Sequence, residues 1–185
     1  MTDKTIIIAG LGNPGKKYEL TRHNVGFLVL ESLAEHYGIA LDQSRWESEY
    51  GRGRLKNERE DALDIVLLKP LTYMNLSGKA VCPAARFFKI PPEQLLVIHD
   101  EIELPPGETR AKKGGGHKGH NGLRDIIEKC GSADFHRLRV GVGRPDHQDV
   151  AGYLLSPFTH EEQERLPEIV EHAREYCVEW VHRIK

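Results

Sequence analysis

The sequence predicts an α/β fold: a single three-layer domain over residues 1–185, with a twisted mixed β-sheet carrying helices on both faces. Two observations predict it. Short apolar runs bounded by Gly, Pro or charged residues alternate with amphipathic stretches of helical period. At 185 residues, 39% apolar and 29% charged, the chain is long enough for one well-developed core and short for two.

Strands are expected at Ile6 to Ala9, around Gly51 to Leu55, and at Asp64 to Lys69, Gln94 to His99, Glu108 to Lys112 and Arg137 to Val142. A helix over Val25 to Tyr37 keeps Val25, Leu28, Leu33 and Tyr37 on one face, with Gly38 as its C-cap. Further helices are expected over Ser77 to Lys89, over Leu123 to Cys130 with Gly131 as C-cap, and from Thr159 onward. Thr159 and Glu162 form a capping-box pattern. Pro83 removes the bond to the Lys79 carbonyl, predicting a kink or a late helix start. Nothing repeats internally.

The three cysteines, Cys82, Cys130 and Cys177, are far apart in sequence and lie in apolar helical contexts, so they read as small buried hydrophobes with neither disulfide nor zinc site. Asp3 and Lys4 before a short apolar run do not make a secretory signal, and no apolar run can span a bilayer. A cytoplasmic protein is expected. Net charge is only -2, but nine basic residues stand against three acidic ones from Arg110 to Arg144, a local +6. The rest of the chain carries -8. A solvated, salt-bridged face is the plain account of such a run; here it contains the most glycine-rich loop of the chain, which favours a polyanion site.

Gly10, Gly12 and Gly15 match a dinucleotide-binding fingerprint literally. The match is read as accidental. Pro14 removes an N–H from the turn, the polar run Lys16 to Arg22 does not open a sheet-packing helix, and no second strand ends in an acid at the right distance. A nicotinamide-dependent oxidoreductase is therefore disfavoured.

Four segments just past strands carry candidate chemistry: Asn13 with His23 and Asn24; Leu71 to Gly78; His99-Asp100-Glu101; and Gly114 to Gly122. Strand ends of an open α/β sheet can converge on one crevice. An imidazole, carboxylates and several amides would meet there without a convincing nucleophile, because Ser77 reads as a helix N-cap. A histidine oriented by a carboxylate can instead deprotonate water, while amides and N–H groups stabilise the oxyanion. His117 and His120 resemble metal ligands, but a glycine loop fixes no geometry and no third ligand has suitable spacing, so no metal or other cofactor is expected.

Gly10-Leu-Gly-Asn-Pro-Gly, Thr21-Arg-His-Asn-Val-Gly, Tyr73-Met-Asn-Leu-Ser-Gly, His99-Asp-Glu, the Gly114 to Gly122 loop and Phe135-His-Arg-Leu-Arg resemble, in order and spacing, the motifs of bacterial-type peptidyl-tRNA hydrolases. The resemblance implies an enzyme that cleaves the ester joining a peptide to the 3' end of tRNA, acting as a monomer on peptidyl-tRNA. It implies His23 as general base, Asp100 as its orienting carboxylate and Asn13 as a contact to the peptide side. Asn75 and Asn121 would bind the terminal nucleotide and the ester region, and Tyr18 and Tyr73 the tRNA. Lys112 and Arg139 would clamp the tRNA backbone; read from the residues themselves, Met74 is a packing side chain at the cleft wall and His120 positions the neighbouring Asn121. His99, His136, His147, His160, His172 and His182 are read as structural or solvated. The chain stops at Lys185, short of the basic tail of longer members. An inactive RNA-binding relative of the same fold is the rival reading; joint retention of His23, Asp100, Asn13, Asn75 and Asn121 argues against it.

Overall fold

The computed structural model describes residues 4–185, so Asp3, read above against a secretory leader, lies outside the described residues. Seven strands form one sheet: β1 (Lys4–Gly10), β2 (Gln43–Arg45), β3 (Ser48–Lys56), β4 (Ala62–Pro70), β5 (Leu95–Glu101), β6 (Thr109–Lys113) and β7 (His136–Gly141). Their order is β2-β3-β4-β1-β5-β7-β6. The centre, β4, β1, β5 and β7, is parallel; the two edges are antiparallel. The sheet is therefore mixed, as expected. Its parallel strands are near-continuous apolar runs because both faces are covered. β5 is buried at every position.

Alternate residues of those strands feed two cores. On one face Ile6 and Ile8 of β1 pack with α1 (Val25–Tyr37) and α5 (His160–Arg183). On the other, Ile7 and Ala9 pack with α2 (Ser77–Phe87) and α3 (Asn121–Cys130). A one-turn helix, α4 (Val150–Leu154), precedes α5. Gly38 closes α1 at φ 63°, donating to the Ala34 and Glu35 carbonyls. The capping box opens α5 as expected, with Glu162 N–H donating to Thr159 Oγ1 at 3.2 Å.

Five expectations need correction. β2 was not foreseen, because all three of its residues are exposed and lack alternation; pairing with β3 alone makes it a strand. α4 is too short for a periodic signal, and rests on an Asp149 side chain that accepts from Gly152 N–H. α2 starts at Ser77 and runs through Pro83, so its start is not delayed. Ser77 is not its N-cap: the hydroxyl donates to the Met74 carbonyl, and Asp125 of α3 accepts from Gly78 N–H at 2.8 Å. Finally, Cys82 and Cys130 form a disulfide. Separation by 48 residues is irrelevant once α2 lies along α3 and the two Cα atoms are 5.3 Å apart, well within bridging range. Cys177 is a buried free thiol, as expected.

Candidate active site

The parallel strands end on one side of the sheet, and the loops leaving them bring the candidate residues together. The β1-to-α1 connection folds back tightly. A Cβ on Gly10 would sit 2.3 Å from the Gly26 carbonyl oxygen, and one on Gly26 would sit 2.5 Å from the carbonyl oxygens of Leu11 and Ile98. Only glycines let the start of α1 pack so closely on the ends of β1 and β5. That approach sets the short helical turn Arg22–Asn24 directly against Asp100 at the end of β5. Arg22, 5% exposed, anchors the turn by pairing with Glu162 at 2.7 Å and lying 4.1 Å over the Tyr153 ring.

His23 Nδ1 lies 2.8 Å from Asp100 Oδ1, and His120 Nε2 lies 2.9 Å from the same oxygen. An ionised carboxylate only accepts, so each ring presents an N–H to it. The assignment is consistent for His120, whose Nδ1 accepts from Leu123 N–H at 3.2 Å and caps α3. For His23 it leaves Nε2 with a free lone pair. Burial pulls the His23 pKa down, but the Asp100 charge and hydrogen bond outweigh it, so the ring is more basic than an ordinary histidine. Burial opposes ionisation of Asp100 too, yet the positive potential and hydrogen bonds of His23 and His120 hold it below the usual carboxylate range. His99 stands behind it, Nδ1–H donating to the Asp100 carbonyl at 2.7 Å. Full burial pushes His99 down to about 3, so it is neutral.

Asn13 is 6% exposed and locked. Its Oδ1 accepts from Met74 N–H at 2.7 Å, while Asn24 bonds both its N–H and its carbonyl. The Asn13 Nδ2 group is left for a ligand. Asn13, His23, Met74, Asn75, His120 and Asn121 line one crevice of about 430 Å³, closed on the far side by α4 and Leu155. Met74 is buried against Gly122, whose missing side chain makes room for its sulfur.

Next to this crevice lies a cationic cavity of about 250 Å³ that includes Asp100, His120, Lys112, Lys118, Arg139 and Arg144. Lys112 and Arg139 thus converge, although Arg139 pairs with Glu101 at 3.4 Å. Arg137, counted in the basic run, has another job: it is 2% exposed, and its guanidinium donates to the carbonyls of Gly115, Gly116 and Ala133. It holds the glycine loop shut from beneath. Tyr73 is 57% exposed and Tyr18 sits beneath Lys17; neither lines these cavities. Sequence reasoning left Arg22 and Arg137 without a role of their own and named Asn24 only as a member of the His23 segment, not as the side chain that holds Asn13; Arg22 and Asn24 flank His23 directly, which was their sequence signal.

The expectation that the loop histidines lack a third ligand fails for His120, since ligand-type atoms of His23, Asp100 and His120 lie within 4.8 Å of one another. A cation there would have to replace both ring protons that bind Asp100, and it would have to push the groups apart: the N···O separations of 2.8 and 2.9 Å are shorter than the roughly 3.3 Å kept by two donors that each lie about 2.0–2.1 Å from one tetrahedral zinc. His117 is half-buried and its Nδ1 accepts from Gly119 N–H instead.

A sequence profile of the peptidyl-tRNA hydrolases matches residues 7–185. The chain belongs to the peptidyl-tRNA hydrolase family. It is similar to the peptidyl-tRNA hydrolase of Geotalea daltonii, at 49% identity over 89% of this chain and 84% of that one. Identity to the Trichlorobacter lovleyi peptidyl-tRNA hydrolase is 48%, over 91% and 85%. Among solved structures, an Arg119Gln mutant of the peptidyl-tRNA hydrolase from Acinetobacter baumannii superposes with a TM-score of 0.87 at 42% identity, over 99% of this chain and 91% of that one. A second structure of the Acinetobacter baumannii enzyme gives 0.81 at 40% identity, over 98% and 96%. The peptidyl-tRNA hydrolase fold thus covers the whole crevice.

Proposed function

We propose that this hydrolase cleaves the ester between an N-blocked peptide and the 3' end of tRNA, with His23 as general base. The carrying observation is the shared Asp100 oxygen, which holds the His23 ring with Nδ1 protonated and Nε2 free beside three amides. His23 Nε2 takes a proton from water as the oxygen attacks the ester carbonyl. The resulting oxyanion is stabilised by amide N–H groups, with Asn13 Nδ2 the group already held in place. Collapse breaks the bond to the ribose 3' oxygen, which takes the proton from His23. Peptide carboxylic acid and free tRNA leave.

Asn75 and Asn121 bind the terminal nucleotide and the ester region, with Met74 as cleft wall. His120 orients Asp100 and caps the helix that begins with Asn121. Lys112 and Arg139 take the tRNA backbone, and Tyr18 and Tyr73 are surface contacts to it. The chain acts as one catalytic unit, a cytoplasmic monomer without metal or cofactor. No helix of the described residues is long and apolar enough to cross a membrane.

The test is release of free tRNA from N-acetylaminoacyl-tRNA with chelator present. Turnover that His23→Ala lowers by roughly 10²- to 10⁴-fold, the usual range for a general base, supports the mechanism. Near-normal turnover in that variant refutes it, and loss of wild-type activity on chelation refutes the metal-free reading.

A further inference from the structure

A second groove, of about 440 Å³, opens on the other side of Asn13 from the cationic cavity. Asn13 is common to its wall and to that of the catalytic crevice, so the two lie side by side. The rest of its wall comes from the β1-to-α1 loop, from α1 and from the ends of β3 and β4. Building on the hydrolase reading, we propose that this groove binds the second and third residues of the substrate's peptide, counted from the ester.

Sheet order supplies the direction. His23 and Asp100 sit over β1 and β5, and the cations that suit a polyanion sit over β5, β7 and β6. With tRNA approaching from that edge, the acyl chain leaves towards β4 and β3, where the groove lies. Charge agrees with the direction. Five lysine and arginine side chains face two carboxylates in the cationic cavity, whereas Lys16 and Lys69 face Glu19, Glu31 and Glu49 in the groove. A surface of that sign repels a phosphate backbone and tolerates a neutral peptide.

Its surface is also that of a site that must accept many sequences. Lys69 pairs with Glu31 at 2.7 Å and lies 5.0 Å over the Phe27 ring, and Glu49 stands opposite Lys69 in the β3–β4 pairing. Leu20, 46% exposed, and Leu71, 37% exposed, form an apolar rim that nothing among the described residues covers. Neighbouring strands are about 4.8 Å apart, so β3 lies roughly 10 Å from β1. An extended chain advances about 3.3–3.6 Å per residue, which brings the second and third residues over the groove.

The test compares two substrates on one tRNA with the same ester-linked residue: N-acetylaminoacyl-tRNA and an N-acetyltripeptidyl-tRNA. In a Leu20→Ala/Glu49→Ala variant, KM for the tripeptidyl substrate rises about three- to tenfold, while kcat and the KM for the short substrate stay within twofold. Equal effects on both substrates, or none on either, overturn the assignment. An independent readout places a diazirine on the tripeptide's N-terminal residue and uses His23→Ala protein to slow cleavage. Cross-links to residues 16–20 or 69–71 are expected; cross-links to 117–121 or 150–155 overturn the groove. Wild-type protein inert on both substrates overturns the hydrolase reading itself, whereas turnover without length discrimination overturns only the groove.

Discussion

Gly26→Ala probes the step that links packing to catalysis. The added methyl would sit 2.5 Å from two backbone carbonyl oxygens and 2.7 Å from the Leu11 nitrogen, against 3.4 Å for ordinary contact. None of those atoms can rotate away, because Leu11 N–H is bonded to the Ile98 carbonyl at 3.0 Å. The start of α1 must therefore back off by about 0.9 Å. His23 rides on that start, and its 2.8 Å bond to Asp100 lengthens with it. Overpacking of this kind costs about 1–3 kcal/mol, and at about 2–4 °C per kcal/mol for a chain of this size Tm falls by several degrees. Misplacement of a catalytic group by about 1 Å can lower kcat roughly 10²-fold. Gly38→Ala is the control: at φ 63° it meets nothing within 4 Å, so it carries a left-handed backbone penalty of about 1–2 kcal/mol but leaves kcat unchanged. Thermal melts and single-turnover rates on both variants decide the matter. A Gly26→Ala protein with normal kcat would show that the close approach does not position His23.

Asp100→Asn should lower kcat at least tenfold and move the acid limb of its pH profile to lower pH, because the carboxylate is what raises His23; an unmoved limb in pH–rate measurements contradicts the pairing. The sign follows from the base: activity is present above the raised His23 pKa, where the ring is neutral, and is lost as pH falls through it. Reducing the Cys82–Cys130 bridge should lower Tm on the order of 10 °C with little change in kcat, since freeing a 48-residue loop costs about 4 kcal/mol of chain entropy; equal melts with and without reductant would refute the bridge, and Cys130→Ser should melt independently of reductant. Lys112→Ala/Arg139→Ala should reduce the slope of log K against log salt for tRNA by about 1.4, towards the lower end of what two phosphate contacts release because Arg139 already pairs with Glu101. An unchanged slope over a salt titration would place the tRNA elsewhere.

The sequence by itself determined the alternation of strands and helices, the helix ends at Gly38 and Gly131 and the capping box at Thr159, because apolar period and cap chemistry are local. It also marked His23, Asp100 and the three asparagines as a set, through motifs that stand just past strands. What it left undecided depends on which elements become neighbours. β2 exists only through β3, Gly78 is capped by a residue 47 positions away, and Cys82 finds Cys130 only because α2 lies on α3. The same holds inside the site. Arg137 reads as one more surface cation until folding buries it under the glycine loop, and His120 reads as a neighbour of Asn121 until β5 carries Asp100 to it. A carboxylate shared by two imidazoles is a product of strand order, and spacing along a chain does not encode distance across a sheet.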